Sequence, residues 1–289
     1  MGAPIGPVRQ PFIGVPHMNN PWIAAGSALF VWWFSTGLIL WRVRHADNHG
    51  HAAHLQSVIA GLPLLALGLY GVHTTLDDTS TRGVYAAFLS ALAIWGWIEL
   101  AFLSGIITGP NTRECPPNLP LPERFIRAFG TIAWHEALLA LTTVGLLLWT
   151  RNEPNTFGLW TFVILFFARV SAKLNLFFGV PRIHTEFLPK PLAHLASHFR
   201  HAGMNWVFPI SVTLLTFAAA CWMERAIAAP TDGAFIGHIL LAALTLLALL
   251  EHWFMVLPLP DQKLWRWMLP APAMPASPTA TDTTLTARK

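Results

Sequence analysis

Apolar residues along this chain occur in long stretches, separated by short segments that hold most of the charged residues. A helix needs about 20 predominantly apolar residues to cross the hydrocarbon core of a bilayer. Stretches that reach or approach this length lie at 22–41, 57–73, 84–108, 125–150, 157–178, 205–223 and 235–257. The pattern predicts an all-α, polytopic integral membrane protein with seven transmembrane helices in one bundle. The second stretch is short for a full crossing.

The composition agrees with a membrane protein, since 54% of the 289 residues are hydrophobic and only 11% are charged. Soluble proteins carry roughly 25% charged residues. Basic residues are scattered through the loops without interleaved aromatic residues, so we expect no nucleic-acid partner. The two cysteines, Cys115 and Cys221, fit neither a disulfide framework nor a cysteine-based zinc site.

The stretches divide the chain into three parts. Residues 1–21 form an extracytoplasmic N-terminal segment, and residues 22–257 form the transmembrane domain. Residues 258–289 form a cytoplasmic tail that is rich in Pro, Ala and Thr, and we expect it to be disordered from about residue 270. The first stretch lacks the charged start and cleavage site of a signal peptide, so we expect it to remain as a membrane anchor.

The loop charges predict the orientation, because cytoplasmic loops retain Lys and Arg. Of the 18 Lys and Arg residues, twelve lie on one side of the predicted spans and four on the other, while Arg169 and Lys173 lie inside the fifth span. The C-terminus is therefore predicted to be cytoplasmic and the N-terminus to be outside. This assignment requires the second stretch to be a crossing.

Three predicted spans carry a glutamate among apolar and aromatic neighbours, namely Glu99, Glu136 and Glu251. A charge near the centre of a membrane helix costs about 2.5–3.5 kcal/mol even on lenient insertion scales. At the helical rise of about 1.5 Å per residue, the three carboxylates lie roughly 13, 16 and 9 Å from the cytoplasmic face and could share one layer. Arg169 and Lys173, four residues apart on one helix face, provide cations near that layer.

Histidines concentrate on the same side of the membrane. His135 precedes Glu136, and His252 follows Glu251. In the cytoplasmic loop at 179–201, His194 and His198 are four residues apart. This spacing places both rings on one side of an α-helical turn, as in two-histidine metal sites.

One interpretation of these residues is a di-metal centre, since oxygen and nitrogen ligands from several bundle helices suit iron or manganese. The adjacent His–Glu pairs depart from the Glu-x-x-His motif of soluble di-iron bundles, because neighbours on a helix point about 100° apart. The His-box spacings of membrane desaturases are also missing. The candidate metal ligands are Glu99, His135, Glu136, His194, His198, Glu251 and His252.

Other interpretations remain open. The three glutamates could form a structural ion-pair network with Arg169, Lys173 or Arg127, or be protonated carboxyls between helices. They could also belong to a pigment, quinone or proton-relay site. His135 and His252 could be axial ligands to a haem or to a chlorophyll magnesium, which would place them with Arg169 and Lys173 in a cofactor site. The segment with His194 and His198 could instead be an interfacial amphipathic helix.

Three segments resemble the PuhE-type photosynthetic complex assembly proteins of purple phototrophic bacteria. They read Trp97-Ile-Glu-Leu-Ala-Phe-Leu-Ser-Gly-Ile-Ile-Thr-Gly-Pro, Trp134-His-Glu-Ala and Arg169-Val-Ser-Ala-Lys-Leu-Asn-Leu-Phe-Phe-Gly-Val-Pro-Arg-Ile-His. The resemblance implies a protein of the bacterial inner, photosynthetic membrane. It also implies an effect on assembly of the reaction centre and light-harvesting 1 complex and on the supply of bacteriochlorophyll. It assigns no catalytic residues.

Two functions follow as hypotheses. The first is a membrane assembly factor for the reaction centre and light-harvesting 1 complex, which contacts its subunits and handles bacteriochlorophyll or a precursor. The second is a membrane di-metal, di-iron-like oxidoreductase that acts on a pigment precursor or another hydrophobic substrate. A transporter is a weaker alternative, because the chain shows no internal repeat and no pair of broken helices.

Overall fold

The computed structural model describes residues 18–258, which are helical through most of their length. The predicted N-terminal segment and tail lie almost wholly outside the described residues. Six helices, counting His51–Thr74 as one, are long and apolar enough to cross a membrane, or seven if one bent pair counts as a span. The α-helices are α1 (Pro21–Asp47), α2 (His51–Ala60), α3 (Leu62–Thr74), α4 (Thr81–Leu103), α5 (Leu121–Gly130), α6 (Ala133–Thr150), α7 (Phe157–Phe178), α8 (Val207–Ile227) and α9 (Asp232–Phe254).

Helices α4, α7 and α9 form the centre of the bundle, and each packs against the other two. Of the spans, α9 and α4 are the most buried. The outer helices present large apolar side chains outward, among them Leu67, Leu141 and Phe217, which are all more than 60% exposed. Exposure of such side chains is expected where lipid rather than water surrounds the protein. The predicted all-α membrane fold is confirmed.

The second predicted span is longer than its apolar stretch. Helices α2 and α3 together cover His51–Thr74, 24 residues that qualify as one crossing. Gly61 joins them in a right-handed helical conformation, with φ −81° and ψ −13°, so the chain continues in the same direction. The predicted stretch began at residue 57 because the first residues of α2 include polar side chains.

The fourth predicted span, 125–150, is not one helix. It consists of α5 and α6, which meet at an angle of 70°. Helix α5 has no buried residue and carries charged and apolar side chains on different faces, as an interfacial helix does. Since α6 begins at Ala133, Glu136 lies in its first turn. The continuous helix on which the predicted depth of Glu136 was based is therefore not present.

A layer of turns and short helices covers one end of the bundle. We call residues 104–132 and 179–206 the cap; they include α5 and a 3₁₀ helix at Lys190–His198. Its two segments are joined by the Cys115 N–H, which donates to Ser197 Oγ at 2.8 Å. The Lys190 N–H donates to Asp47 Oδ1 at 3.1 Å, which fastens the cap to the end of α1. The cap lies on the side predicted to be cytoplasmic.

The sharp turn from α4 into the cap uses a glycine. Helix α4 ends at Leu103, and the Gly105 N–H donates to the Phe102 carbonyl at 2.8 Å. Gly105 has φ +72°, in the left-handed region that side chains disfavour. This glycine therefore ends the span and lets the chain turn into the cap.

Candidate functional site

Glu99 is paired with an arginine at the centre of the bundle. Its side chain projects from α4 and is about 10% exposed, and Arg169 on α7 donates to Glu99 Oε2 from Nη2 at 2.9 Å. A buried carboxylate is costly without such a partner. The second carboxylate oxygen lies 3.8 Å from His135 Nε2, beyond hydrogen-bond distance.

Glu136 has a separate cation from the same helix. Lys173, one turn after Arg169 on α7, donates to Glu136 Oε1, and both side chains are less than 20% exposed. The Lys173 ammonium also lies 5.2 Å from the centre of the Phe102 ring, a cation–π distance. Helix α7 thus neutralises carboxylates from two different helices, as the ion-pair interpretation of the sequence predicted.

Glu251 differs from the other two glutamates. It is exposed and lines a cavity together with Glu99 and Arg169. Within residues 18–258 it makes no direct hydrogen bond or salt bridge. The three central helices therefore each bring one charged side chain to this cavity, and two of the three are acidic.

The two histidines adjacent to these glutamates have different surroundings. His135 is fully buried, and its ring packs on Phe102 with centroids 4.2 Å apart. His252 Nδ1 lies 2.7 Å from the Ala248 carbonyl, so this nitrogen carries the proton. His252 Nε2 then accepts from Ser171 Oγ at 2.9 Å. Neither histidine is among the residues that line the cavities.

A buried polar network extends from His252 through three helices. Ser171 Oγ lies 2.8 Å from Ser211 Oγ, and the Asn175 amide donates to Ser211 Oγ at 2.9 Å. The Asn205 amide continues the network to Asn175 Oδ1 at 3.1 Å. Such hydrogen bonds join helices within a bilayer. The sequence analysis did not identify Ser171, Ser211 or Asn205, because single small polar residues in apolar stretches are common.

His194 and His198 do not share one side of an α-helical turn. The segment forms a 3₁₀ helix, Lys190–His198, in which residues three apart align. Leu192, Leu195 and His198 are accordingly buried together, while His194 points elsewhere. Burial lowers the pKa of both imidazoles below the ordinary value of 6.5. The threefold spacing of the two leucines and His198 was the sequence signal for this arrangement.

Two adjoining cavities lie between the central helices and the cap. The larger, of about 440 Å³, is lined by phenylalanines from α4, α5, α7 and the cap, and we call it the aromatic cavity. The smaller, of about 330 Å³, contains Glu99 and Glu251, and we call it the acidic cavity. Both volumes fall in the range of small-molecule sites. The residues that line both cavities are Leu103, Arg169, His184 and Leu188.

Arg169 has an unsatisfied donor in this shared wall. Its Nε is buried and has no hydrogen-bond acceptor among residues 18–258, although Nη2 is bonded to Glu99. Buried donors without a partner are uncommon and call for an explanation. Of the four residues predicted to bind a cofactor, Arg169 and Lys173 line the aromatic cavity.

The seven predicted metal ligands do not converge. Glu99 and Glu136 are each bonded to a cation on α7, His252 is bonded to Ser171, and His198 lies in the cap. Over the described range 18–258, no three His, Cys, Asp or Glu side chains form a group that could hold a metal ion. The physical reason is that each buried carboxylate is already neutralised by a nearby base.

Comparison with known proteins provides one family and one relative. A family model described as a protein of unknown function (DUF3623) matches residues 18–276. A protein of Rhodobacter capsulatus described as an "Uncharacterized 30.4 kDa protein in puhA 5'region" is 64% identical over 265 residues. The match covers 91% of this chain and 96% of the relative. No solved structure matches the chain.

Proposed function

Because the chain belongs to the DUF3623 family, we propose that it shares a role in photosynthesis with its relative from the puhA 5′ region. Specifically, we propose an inner-membrane assembly factor for the reaction centre and light-harvesting 1 complex that holds bacteriochlorophyll during assembly. The position of the relative supports the connection with photosynthesis. The resemblance to PuhE-type proteins supports the assembly role.

The observation that carries the pigment-handling part is the pair of adjoining cavities. The aromatic cavity is predominantly apolar, with Phe102, Phe125, Phe129 and Phe177 in its lining. Flat aromatic side chains favour stacked or edge-on contacts with a flat conjugated ligand. A chlorin macrocycle is such a ligand, and it carries carbonyl groups that can accept hydrogen bonds.

Helix α5 offers a path from the bilayer to the aromatic cavity. Phe125 and Phe129 line the cavity, and both are more than 40% exposed. A hydrophobic ligand dissolved in lipid can therefore reach the cavity beside an interfacial helix without crossing water. This placement suits transfer of a pigment between the membrane and a partner protein.

Arg169 and Lys173 are the polar groups that would orient the pigment. Both line the aromatic cavity. His135 and Glu99 hold positions around these cations instead of contacting the ligand. We assign them positioning roles.

The test is gene deletion in a purple phototrophic bacterium followed by complementation. We expect the deletion strain to lose near-infrared absorbance of the light-harvesting 1 complex and to recover it with the wild-type gene. The variant Glu99→Gln/Arg169→Met removes both charges of this pair and the guanidinium donors, so it should accumulate normally and fail to restore absorbance. The control Glu123→Gln/Arg127→Gln removes an exposed ion pair on α5 and should restore it.

Purification of the protein from those membranes completes the test. We expect an absorption spectrum with bacteriochlorophyll bands and no stoichiometric iron. Normal complex levels in the deletion strain would contradict the assembly role. Two irons per chain without pigment would favour an oxidoreductase instead.

A further inference from the structure

The acidic cavity is elongated along four parallel helices, α1, α4, α7 and α9. Each helix lines it with one face, at spacings of three and four residues; on α9 the lining residues are Leu244, Leu247, Ala248 and Glu251. Each of these faces extends over seven residue steps or more, which is about 10 Å or more at the helical rise. A chain-like ligand fits this shape better than a compact one.

The two ends of the acidic cavity differ in polarity. All four helices run toward the cap, since α4 and α7 lead into it and the ends of α1 and α9 are hydrogen-bonded to it. Glu99 and Glu251 therefore lie toward the cap, whereas Leu92 and Leu244 line the far end. A polar end and an apolar end match a ligand with a polar head group and a hydrocarbon tail.

Glu251 provides the charge that this cavity leaves unbalanced. Glu99 is paired with Arg169, but Glu251 has no hydrogen bond or salt bridge to any of residues 18–258. It is exposed and continues the lining face of α9 one turn after Leu247, so a ligand in the cavity can reach its side chain. A carboxylate beside hydrocarbon is costly without a counter-charge. The cavity therefore favours a ligand with a positively charged head group.

The charged end of the cavity lies at the level of lipid head groups. Glu251 is three residues before the end of α9, which is roughly 4.5 Å along the helix axis. A lipid of the leaflet on this side has its head group here and its chains directed toward the bilayer centre. The described chain groups no three His, Cys, Asp or Glu side chains that could hold a metal ion. An organic ammonium group is the cation that fits.

Gly96 of α4 leaves room for the tail. It lines the acidic cavity, and a Cβ atom at this position would meet only Ile39 Cδ1, at 3.7 Å, an ordinary van der Waals distance. Packing against the neighbouring helices therefore does not require a glycine here, although glycine weakens a helix interior. The missing side chain widens the cavity instead.

We propose that the acidic cavity binds a membrane lipid with an ammonium head group. The ammonium group pairs with Glu251, and one hydrocarbon chain extends past Gly96 toward Leu92 and Leu244. This inference goes beyond the proposed function, which places the pigment in the aromatic cavity.

The experiment measures lipid binding to the full-length protein in detergent by native mass spectrometry. The probes are phosphatidylethanolamine, phosphatidylglycerol with the same acyl chains, and ethanolamine without chains. Glu251→Gln removes the charge at constant size, and Gly96→Leu fills the cavity. The matched controls are Glu224→Gln, at an exposed glutamate of α8 outside the cavity lining, and Gly145→Leu, at a glycine of α6 with open space around it.

We expect the wild type to bind phosphatidylethanolamine on the order of tenfold more tightly than phosphatidylglycerol, as one hydrogen bond between charged groups provides. Ethanolamine alone should not bind measurably. Glu251→Gln should bind both lipids equally, and Gly96→Leu should lose binding of both. Phosphatidylethanolamine should raise the melting temperature of the wild type and of both controls but not of these two variants. Melting without added lipid shows whether each variant is folded.

Three results would overturn the inference. Equal affinity of the wild type for the two lipids would remove the head-group assignment, and an unchanged preference in Glu251→Gln would remove the role of that carboxylate. Ethanolamine that binds as tightly as phosphatidylethanolamine would indicate a site for soluble amines instead of a lipid. Pigment binding in the aromatic cavity is tested separately, so these results leave it unaffected.

Discussion

At the scale of single residues, the charged side chains of this protein differ in how much stability is lost when one of them is removed. Lys173 and Glu136 are 18% and 13% exposed, whereas Arg127 and Glu123 on α5 are 40% and 47% exposed. Water and salt screen the second pair, so it contributes about 1 kcal/mol or less. Loss of one member of a buried pair leaves an uncompensated charge and costs about 3–5 kcal/mol.

We therefore predict that Lys173→Met and Glu136→Gln each destabilise the protein by about 3–5 kcal/mol. The double variant Lys173→Met/Glu136→Gln should lie close to the wild type, because no charge is left unpaired. Unfolding in detergent micelles measures the three values. Arg127→Gln is the control and should change stability by about 1 kcal/mol at most. The pairing would be contradicted if the stability lost in the double variant equalled the sum of the losses in the two single variants.

His198 makes the stability of the cap depend on pH. Its pKa in the folded protein is below 6.5, so the unfolded chain binds more protons than the folded chain as the pH falls below that value. The stabilisation is complete above pH 6.5 and is lost at lower pH. His194 has a pKa lowered in the same direction and adds to the effect.

We predict that the melting temperature falls between pH 7.5 and 5.5, and that His198→Gln reduces this fall. Thermal unfolding in detergent at both pH values provides the measurement. His201→Gln, at an exposed histidine of the cap, is the control and should retain the full pH dependence. A wild-type melting temperature that rises on acidification would contradict the assignment.

At the scale of elements, the bend between α5 and α6 shapes the site. The chain before α5 packs directly on this bend, since the Asn111 N–H donates to the Gly130 carbonyl at 3.0 Å. The His135 N–H donates to the Thr108 carbonyl at 2.9 Å and fastens the start of α6. The bend thereby directs α5 across the aromatic cavity and places Glu136 within reach of Lys173.

Gly109 provides a test of this packing. A Cβ atom at Gly109 would lie 2.7 Å from the carbonyl carbon of Thr131 and 2.8 Å from the Ala133 nitrogen, both backbone atoms that cannot move aside. We predict that Gly109→Ala destabilises the protein by about 1–3 kcal/mol, as overpacking does. Gly145→Ala in α6 meets no atom within 4 Å and should be neutral or stabilising. Thermal unfolding of the two variants should separate them, and equal stability would contradict the close packing.

At the scale of the whole molecule, the two ends of the bundle differ in structure and charge. The cap end holds the adjoining cavities and the larger share of Lys and Arg in the loops. Within residues 18–258, the opposite end consists of short turns, with side-chain caps from Asn20, Ser80 and Thr231 at the starts of three helices. The positive-inside rule therefore predicts that the cap, and with it the proposed pigment site, lies at the cytoplasmic face.

Cysteine labelling tests this orientation. In a chain freed of Cys115 and Cys221, Glu114→Cys marks the cap and Asn152→Cys marks the turn before α7, and both positions are exposed. We predict that a membrane-impermeant maleimide labels Asn152→Cys in intact spheroplasts and Glu114→Cys only after lysis. The opposite labelling pattern would reverse the topology and place the site on the periplasmic side.

The sequence by itself determined the class of fold, because a bilayer permits few ways to satisfy the backbone. Long apolar stretches predicted most of the spans, and the bounds of α7 at 157–178 agree with the structure. The cost of charge in hydrocarbon also drew attention to Glu99, Glu136, Arg169 and Lys173, and an ion-pair network was one of several interpretations of them. These inferences depend on local composition and on burial, which a single chain segment already reveals.

Only the tertiary structure decided which of these groups meet. Because the chain bends at 131–132, Glu136 lies near the start of α6. Glu99 and Glu136 form separate ion pairs with two cations of α7. The 3₁₀ conformation turned His198, not His194, toward the buried side of the cap. Pairing depends on helix rotation and on contacts between residues distant in sequence, such as Arg113 with His198. The local pattern of apolar and polar residues does not indicate those contacts. The sequence was therefore compatible both with one metal centre shared by the glutamates and with separate ion pairs.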